Sequence, residues 1–204
     1  MFLNAGRLIT LFLLLGLAAC TSIRPVMAPG WSERQASLAA VDYWELRGRM
    51  AFRSGEEGGQ ARLEWQQLAD TTLIQLAGPF GAGAYNLVWE PQFVSLADAS
   101  GERSIEYTGA AAAENFLTEQ LGWSFPAGSM RYWVMGLPDP ATYSDIQFDD
   151  AGQLATIRQY DWNVQYERFQ NIDGYVLPTR ITIENDDARL KIVVSDWRLQ
   201  EHSG

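Results

Sequence analysis

The 204-residue sequence contains one cysteine, one histidine and no apolar run of the roughly 20 residues that a membrane-spanning helix needs. A single cysteine excludes a disulfide within the chain. The histidine, His202, lies among the last three residues, which argues against a His-dependent triad or a histidine metal site. No G-x-S-x-G motif is present. We therefore expect neither a catalytic centre nor a bound metal.

Basic residues are also few. The chain has 15 Lys and Arg against 25 Asp and Glu, a formal net charge of −10. Nucleic-acid binding requires clustered basic residues, so this balance argues against a nucleic-acid partner. It also argues against attraction to anionic lipid head groups. Attachment to a membrane would then depend on acyl chains, each buried methylene of which contributes about 0.8 kcal/mol.

The first 20 residues have the pattern of an export signal. Arg7 precedes the apolar run 8–17, and two alanines then lead directly to Cys20. The pattern resembles a bacterial lipobox, which implies cleavage before Cys20 and lipid on its sulfur and new amino group. Thr21, where Asp is the usual signal for inner-membrane retention, points to the outer membrane. The alternatives are an ordinary signal peptide with an incidental cysteine, or a signal anchor.

Three segments follow from this interpretation. We expect a signal peptide at 1–19, a lipidated N-terminus and tether at 20–30 that contains Pro25 and Pro29, and one domain at 31–204. Hydrophobic residues make up 47% of the chain, and eight tryptophans require a large apolar interior or surface.

The body of the chain has the alternation of half-buried antiparallel strands, first at 43–53 and, after a Gly- and Glu-rich turn, at 61–66. Similar segments separated by turn residues bring the expectation to about ten strands. One of these turns is predicted at Asp161 and Trp162. The remaining predicted strands are 71–77, 85–90, 93–97, 102–108, 143–148, 154–160, 163–169, 175–183 and 189–199.

Two helices interrupt the strands. The segment 110–121 has an apolar stripe that includes Phe116 and Leu117, and a second helix is predicted to begin at a Ser129 cap and to end near Gly136. A short helix is also predicted at 31–41. The fold class is mainly β with helices (α+β), a curved antiparallel sheet forming an open half-barrel under a helical cover.

The loop 78–84 places one large apolar side chain, Phe80, among Gly, Pro and Ala. Such a residue either projects toward lipid or a partner, or folds back on the core as a plug. A curved sheet with apolar inward residues and a helical cover suits the storage of acyl chains, because its cavity replaces the membrane as solvent. The alternative is that the inward residues fill the interior and leave no cavity.

Several motifs together resemble one family. They are the lipobox, the opening segment 43–51, the loop 78–81, the segment 131–138 and the closing residues 195–197. In this order they resemble the outer-membrane lipoprotein receptor family LolB. The resemblance implies an open barrel with an apolar cavity, no cofactor, and a monomer that faces the periplasm. Its partners would be the periplasmic carrier LolA, the acyl chains of cargo lipoproteins and outer-membrane lipid.

Roles follow from position in the family. Phe80, flanked by Pro79 and Gly81, matches the protruding apolar residue of the family loop, commonly Leu, which is linked to delivery into the membrane. Strand alternation and helical spacing, by contrast, give the candidates for the acyl cavity, which are Trp44, Leu46, Met50, Phe52, Leu63 and Trp65 on the sheet, and Phe116, Leu117, Trp133, Val134 and Leu137 on the cover. Alternative functions are a structural lipoprotein of an outer-membrane assembly complex, without a cavity, and an anchored lipid-modifying enzyme.

Overall fold

The computed structural model describes residues 30–78, 83–121 and 125–200. Cys20, the loop residues 79–82 and His202 lie outside the described residues. Within the described part, no helix has the length and apolar character required to cross a membrane.

Eleven strands and three helices make up the described chain. The helices are α1 Trp31–Ala39, α2 Ala112–Leu121 and α3 Ala127–Met135. The strands are β1 Tyr43–Ser54, β2 Glu57–Leu68, β3 Thr71–Ala77, β4 Ala84–Glu90, β5 Phe93–Asp98, β6 Ser104–Thr108, β7 Asp145–Phe148, β8 Leu154–Gln159, β9 Trp162–Ile172, β10 Tyr175–Glu184 and β11 Ala188–Leu199.

All eleven strands belong to one antiparallel sheet with the order β6-β5-β4-β3-β2-β1-β11-β10-β9-β8-β7. Each half is a meander of sequential hairpins, and the first and last strands, β1 and β11, join the halves at the centre. β6 and β7 form the two open edges, so the sheet is not closed. This arrangement confirms the predicted fold class, an open antiparallel sheet with helices.

A β-bulge marks the seam between β1 and β11. Arg47 is opposite Asp196 and Gly48 is opposite Val194, so Ser195 is the extra residue. The Ser195 hydroxyl donates a hydrogen bond to the Arg47 carbonyl at 3.0 Å. The bulge keeps the inward faces of both strands continuous, because Leu46 faces Trp197 on one side of it and Met50 faces Ile192 on the other.

The helices α2 and α3 lie in the chain between the edge strands β6 and β7 and cross from one edge toward the other. α2 packs on β5 and β6, and α3 packs on β10. α1 also packs on β10, where the Arg34 guanidinium donates hydrogen bonds to the Val176 carbonyl from Nε and Nη2, at 3.3 and 2.9 Å. The predicted helical cover is therefore present.

Some predicted boundaries were wrong. The helix α3 begins at Ala127 rather than after Ser129, because Pro126 precedes its first turn. The turn predicted at Asp161 and Trp162 lies one residue earlier: Tyr160 has a φ of +51°, and the buried Trp162 begins β9. Because Trp162 follows Asp161, a residue common in turns, the sequence pattern places it in the turn. Its burial places it in β9 instead.

Burial differs between the two halves of the sheet. Under β8 to β10, inward aliphatic residues such as Ile157, Val164 and Ile181 have no exposed surface. On β3 and β4, the inward residues Ile74, Leu76 and Leu87 are only half-buried. A smaller apolar cluster around Val94 and Phe116 covers the far end of that half. The interior is thus packed on one side and incompletely filled on the other.

Candidate ligand-binding cavity

A cavity of about 500 Å³ lies between the first half of the sheet and the helices α2 and α3. This volume is within the usual range of small-molecule sites. Its walls are almost entirely apolar. The aliphatic, methionine and aromatic residues that line it are Met50, Leu63, Trp65, Ile74, Leu76, Tyr85, Leu87, Trp89, Leu96, Phe116, Leu117, Phe125, Met130, Leu190 and Ile192.

The strand register builds one continuous wall. Trp65 on β2 is opposite Ile74 on β3, which is opposite Leu87 on β4, which in turn is opposite Leu96 on β5. A second row runs beside it through Leu63, Leu76 and Tyr85. Residues directly opposite each other on one face have Cβ atoms about 5 Å apart. Four adjacent strands therefore present an unbroken apolar surface to the cavity.

The opposite wall is aromatic. Phe116 on α2 meets Trp89 edge to face, with ring centroids 5.9 Å apart, and meets Tyr107 at the same centroid distance. Phe125, in the segment before α3, packs edge to face on Trp162 at 5.1 Å. These ring contacts join α2 to β4 and β6, and the segment before α3 to β9. The cavity is the space that the rings leave between the two apolar clusters.

Polar groups of the lining are concentrated near the turn between β2 and β3. Arg131 of α3 forms an ion pair with Asp70, Nη1 to Oδ1 at 2.9 Å, and also donates to the Ala69 carbonyl at 3.4 Å. Its Nη2 donates to the Tyr132 hydroxyl at 2.8 Å. Burial lowers the pKa of Arg131, but the hydrogen bonds to Asp70 and Tyr132 outweigh burial and raise it. The guanidinium stays charged at the edge of an apolar cavity.

A buried polar network fixes α3 beneath the cavity. The Gln159 side-chain oxygen accepts hydrogen bonds from Trp133 Nε1 at 2.9 Å and from the Asp139 backbone N–H at 2.8 Å. Ser129 donates to the Asp139 carboxylate at 2.6 Å. The Tyr166 hydroxyl donates to the Trp133 carbonyl at 2.8 Å. Each of these side chains has a hydrogen-bond partner, and the network ties α3 to β8 and β9.

Burial also alters the ionisation of two neighbouring groups beneath α3. It raises the pKa of Tyr166 far above its ordinary value, an effect that the nearby Arg34 charge only partly opposes. It lowers the pKa of Arg34, and Tyr166 counteracts this in part. The Arg34 guanidinium lies between the rings of Trp31 and Phe169, 5.4 and 5.3 Å from their centroids. These groups stabilise the packed half and do not line the cavity.

The structure divides the candidate residues into three sets. Met50, Leu63, Trp65, Phe116 and Leu117 line the cavity. Trp44, Leu46, Trp133, Val134 and Leu137 are buried in the packed core behind it. Phe52 is 46% exposed, because only two residue pairs separate it from the turn of the β1–β2 hairpin and it lies beyond the cavity wall. Cys20 and the loop residues Pro79, Phe80 and Gly81 fall outside the described residues.

Sequence reasoning missed the middle of the wall. The cavity lining includes Ile74, Leu87, Trp89 and Leu96. The sequence pattern predicts these four residues only as parts of strands. The alternation that predicts the inward residues of β1 and β2 continues through β3, β4 and β5, and it would have identified these residues as well. Arg131 was also missed as a lining residue. The sequence includes Arg131 only in the motif 131–138, and an arginine on a helix gives no sign of which face it occupies.

Comparison with known proteins identifies the family. The family model of the outer membrane lipoprotein LolB matches residues 42–197. The chain is 34% identical over 189 residues to the outer-membrane lipoprotein LolB of Stutzerimonas stutzeri, which covers 89% of this chain and 90% of that relative. This chain belongs to the LolB family. The Pseudomonas putida LolB is 36% identical over 168 residues, 82% of this chain and 80% of that relative.

Family membership confirms the resemblance and the expected outer-membrane localisation. Solved structures agree with the fold. A LolA superfamily protein from Nitrosomonas europaea aligns with a TM-score of 0.52 at 11% identity, over 83% of this chain and 93% of that one. A DUF1329 family protein from Desulfovibrio piger aligns with a TM-score of 0.51 at 8% identity, over 85% and 92%. At such identities the likeness concerns the fold alone.

Proposed function

We propose that this LolB-family protein is an outer-membrane lipoprotein receptor. It accepts acylated lipoproteins from a periplasmic carrier of the LolA type, holds their acyl chains in the cavity and inserts the lipoproteins into the outer membrane. The observation that carries the proposal is the 500 Å³ apolar cavity bounded by the half-buried residues of β3 and β4. The proposal contains no catalytic step, nucleotide or cofactor.

The cavity wall suits a flexible hydrocarbon. Ile74, Leu76 and Leu87 expose part of their apolar surface in the empty protein, and an acyl chain would cover it. Removal of apolar surface from water contributes roughly 25 cal/mol per Å², or about 0.8 kcal/mol for each methylene of the chain. Binding therefore completes the interior of a half-sheet that this chain's own side chains leave unfilled.

A carrier with a related fold fits this model. The LolA superfamily structure shares the fold of this chain, which supports a carrier and a receptor of similar architecture. Transfer without an energy source requires only that the receptor bind the acyl chains more tightly than the carrier, and that the bilayer bind them more tightly still. The receptor is proposed to act as a monomer.

The remaining segments complete the proposal. Residues 1–19 act as a signal peptide, Cys20 carries the lipid, and residues 20–30 tether the domain 31–204 to the membrane. Phe80, between Pro79 and Gly81, inserts its apolar ring into the lipid surface during delivery. Support comes from the sequence pattern and from the family assignment.

The structural alternative has less support. A lipoprotein that only scaffolds an assembly complex is expected to have a filled core, whereas an apolar cavity separates the two clusters of this protein. An unfilled apolar interior lowers stability, because its walls lose packing contacts. We therefore favour the receptor role, in which acyl chains occupy the cavity.

The test measures transfer from a carrier loaded with radiolabelled lipoprotein to the full-length protein. Leu87→Trp fills the cavity, and Val88→Trp, one residue along β4, adds the same bulk on the opposite face. We expect the label to move to the wild type and to Val88→Trp, and to remain largely on the carrier with Leu87→Trp. Equal transfer to both variants would show that the cavity does not hold the cargo.

A further inference from the structure

The ends of the cavity differ in chemistry. Within the described chain, the charged side chains of its lining are Asp70 and Arg131, both beside the β2–β3 turn, and Thr72 lies next to them. From there β3 runs through Ile74 and Leu76 to the loop that follows Ala77. A seven-residue strand separates the ends by roughly 20 Å, at about 3.3 Å per residue.

We infer that the cavity holds its cargo in one direction. The ester and amide carbonyls that join the acyl chains to the cargo's glycerylcysteine bind at Arg131, and the chain ends point toward the 78–83 loop. This inference rests on the proposed function and specifies the binding mode at the same site. It makes Arg131 a specificity-determining residue for an acylated cysteine rather than for a hydrocarbon alone.

Arg131 has hydrogen-bonding capacity to spare. A guanidinium carries five N–H donors. Three are engaged, by the Asp70 carboxylate, the Ala69 carbonyl and the Tyr132 hydroxyl, and the described residues offer no further acceptor. Two donors are thus available, and carbonyl oxygens are pure acceptors that match them.

The space beside Arg131 fits the protein part of the cargo. Asp70 and Arg131 also border a second hollow of about 300 Å³ on the side of α1, whose lining includes Asp42 and Gln67. The Arg131 and Asp70 side chains are 31% and 73% exposed, so this end of the cavity is accessible from solvent. The cysteine and the residues after it would occupy this more polar hollow while the acyl chains extend into the main cavity.

The proposed direction of binding also determines where the acyl chains leave the cavity during delivery to the membrane. With the head group at Arg131, the chain ends lie beside Leu76 and Tyr85, which are opposite each other at the start of the 78–83 loop. Ala77 and Ala84, which flank the loop proposed to enter the membrane, thus lie at the same end as the acyl termini. The chains would leave toward the bilayer without turning around inside the cavity.

Photocrosslinking tests the direction. Two diacylglycerylcysteine peptides, one with a diazirine at an acyl terminus and one with a diazirine on the residue after the cysteine, are bound to the full-length protein. We expect the acyl probe to label Leu76, Ala77, Ala84 or Tyr85, and the peptide probe to label residues 67–72 or 131. The reversed pattern overturns the inference but preserves the receptor role. No labelling by either probe overturns both.

Arg131→Gln tests the recognition. Because hydrogen bonds to charged groups contribute about 1.5–3 kcal/mol, we expect binding of the diacylglycerylcysteine peptide to weaken about tenfold or more. Binding of hexadecane, which has no head group, should change less than twofold. Arg180→Gln removes a comparably exposed arginine, paired with Glu167 on the other half of the sheet, and should alter neither affinity. Equal weakening of peptide and hexadecane binding by Arg131→Gln would refute a head-group role.

Discussion

The carbonyl oxygen of Val193 closes over the Cα of Gly48 at the bulge that joins the two halves of the sheet. A Cβ atom at position 48 would collide with this oxygen and crowd the backbone of Val193 and Val194, none of which can rotate away. Gly48→Ala is therefore expected to lower the free energy of unfolding by about 1–3 kcal/mol, the usual cost of overpacking. Urea unfolding measures the change.

A second glycine provides the control. A Cβ at Gly128, in the first turn of α3, would meet no atom within 4 Å. Gly128→Ala should therefore match the wild type or exceed its stability by up to about 1 kcal/mol, the helix propensity of Ala over Gly. If Gly48→Ala were as stable as Gly128→Ala, the seam would tolerate a side chain and the close approach of Val193 would not constrain the sheet.

Two leucines distinguish the packed half from the cavity half. Leu46 has no exposed surface, so Leu46→Ala should cost about 2–5 kcal/mol. Leu87 is half-buried and already faces empty space, so Leu87→Ala should cost about 1 kcal/mol, close to the transfer free energy of the removed surface. Urea unfolding of both variants gives the comparison. A loss at Leu87 as large as that at Leu46 would indicate a filled interior.

The packed half contains a group that makes stability depend on pH. Burial raises the pKa of Tyr166, so the folded protein retains the hydroxyl proton at a pH where the unfolded chain, with a pKa near 10, loses it. The contribution of Tyr166 to the free energy of unfolding is complete below about pH 10. Above that pH it decreases by about 1.4 kcal/mol per pH unit. Unfolding at pH 9, 10 and 11 should therefore give a steeper loss for wild type than for Tyr166→Phe. Parallel curves would contradict this assignment.

The outer face contains an unfavourable pair. Arg49 on β1 is directly opposite Arg62 on β2, and within the described chain neither guanidinium forms an ion pair. Like charges at opposed positions destabilise a sheet, and an opposite-charge pair contributes roughly 0.2–1 kcal/mol. Arg62→Glu should raise the free energy of unfolding by about that amount at low salt. The gain should largely disappear in 1 M salt, where charges are screened beyond about 3 Å.

The sequence predicts those parts of this structure that depend on local interactions, and it does not predict those that depend on tertiary packing. Alternation in β1 and β2 predicted their inward faces, and the apolar stripes predicted α2 and α3, because periodicity reflects burial directly. Periodicity does not reveal what a buried face meets. Trp44 and Met50 have the same parity, yet Trp44 packs against Trp197 and Met50 lines the cavity. That difference depends on how far α2 and α3 stand from β3 and β4, which is a property of the tertiary structure.

The Phe80 ring is expected to act when cargo is delivered into the membrane. Removal of a Phe side chain from an apolar environment costs about 1.5–3 kcal/mol. If the ring enters the bilayer at delivery, Phe80→Glu should slow release into liposomes by about tenfold or more and leave uptake from the carrier within twofold. Phe80→Leu keeps a bulky apolar tip and should deliver normally. Phe52→Glu, at the exposed tip of the neighbouring β1–β2 hairpin, is the matched control and should change neither step. Equal loss of uptake and delivery in Phe80→Glu would instead place this residue in cargo binding, since only a membrane contact acts on the final step alone.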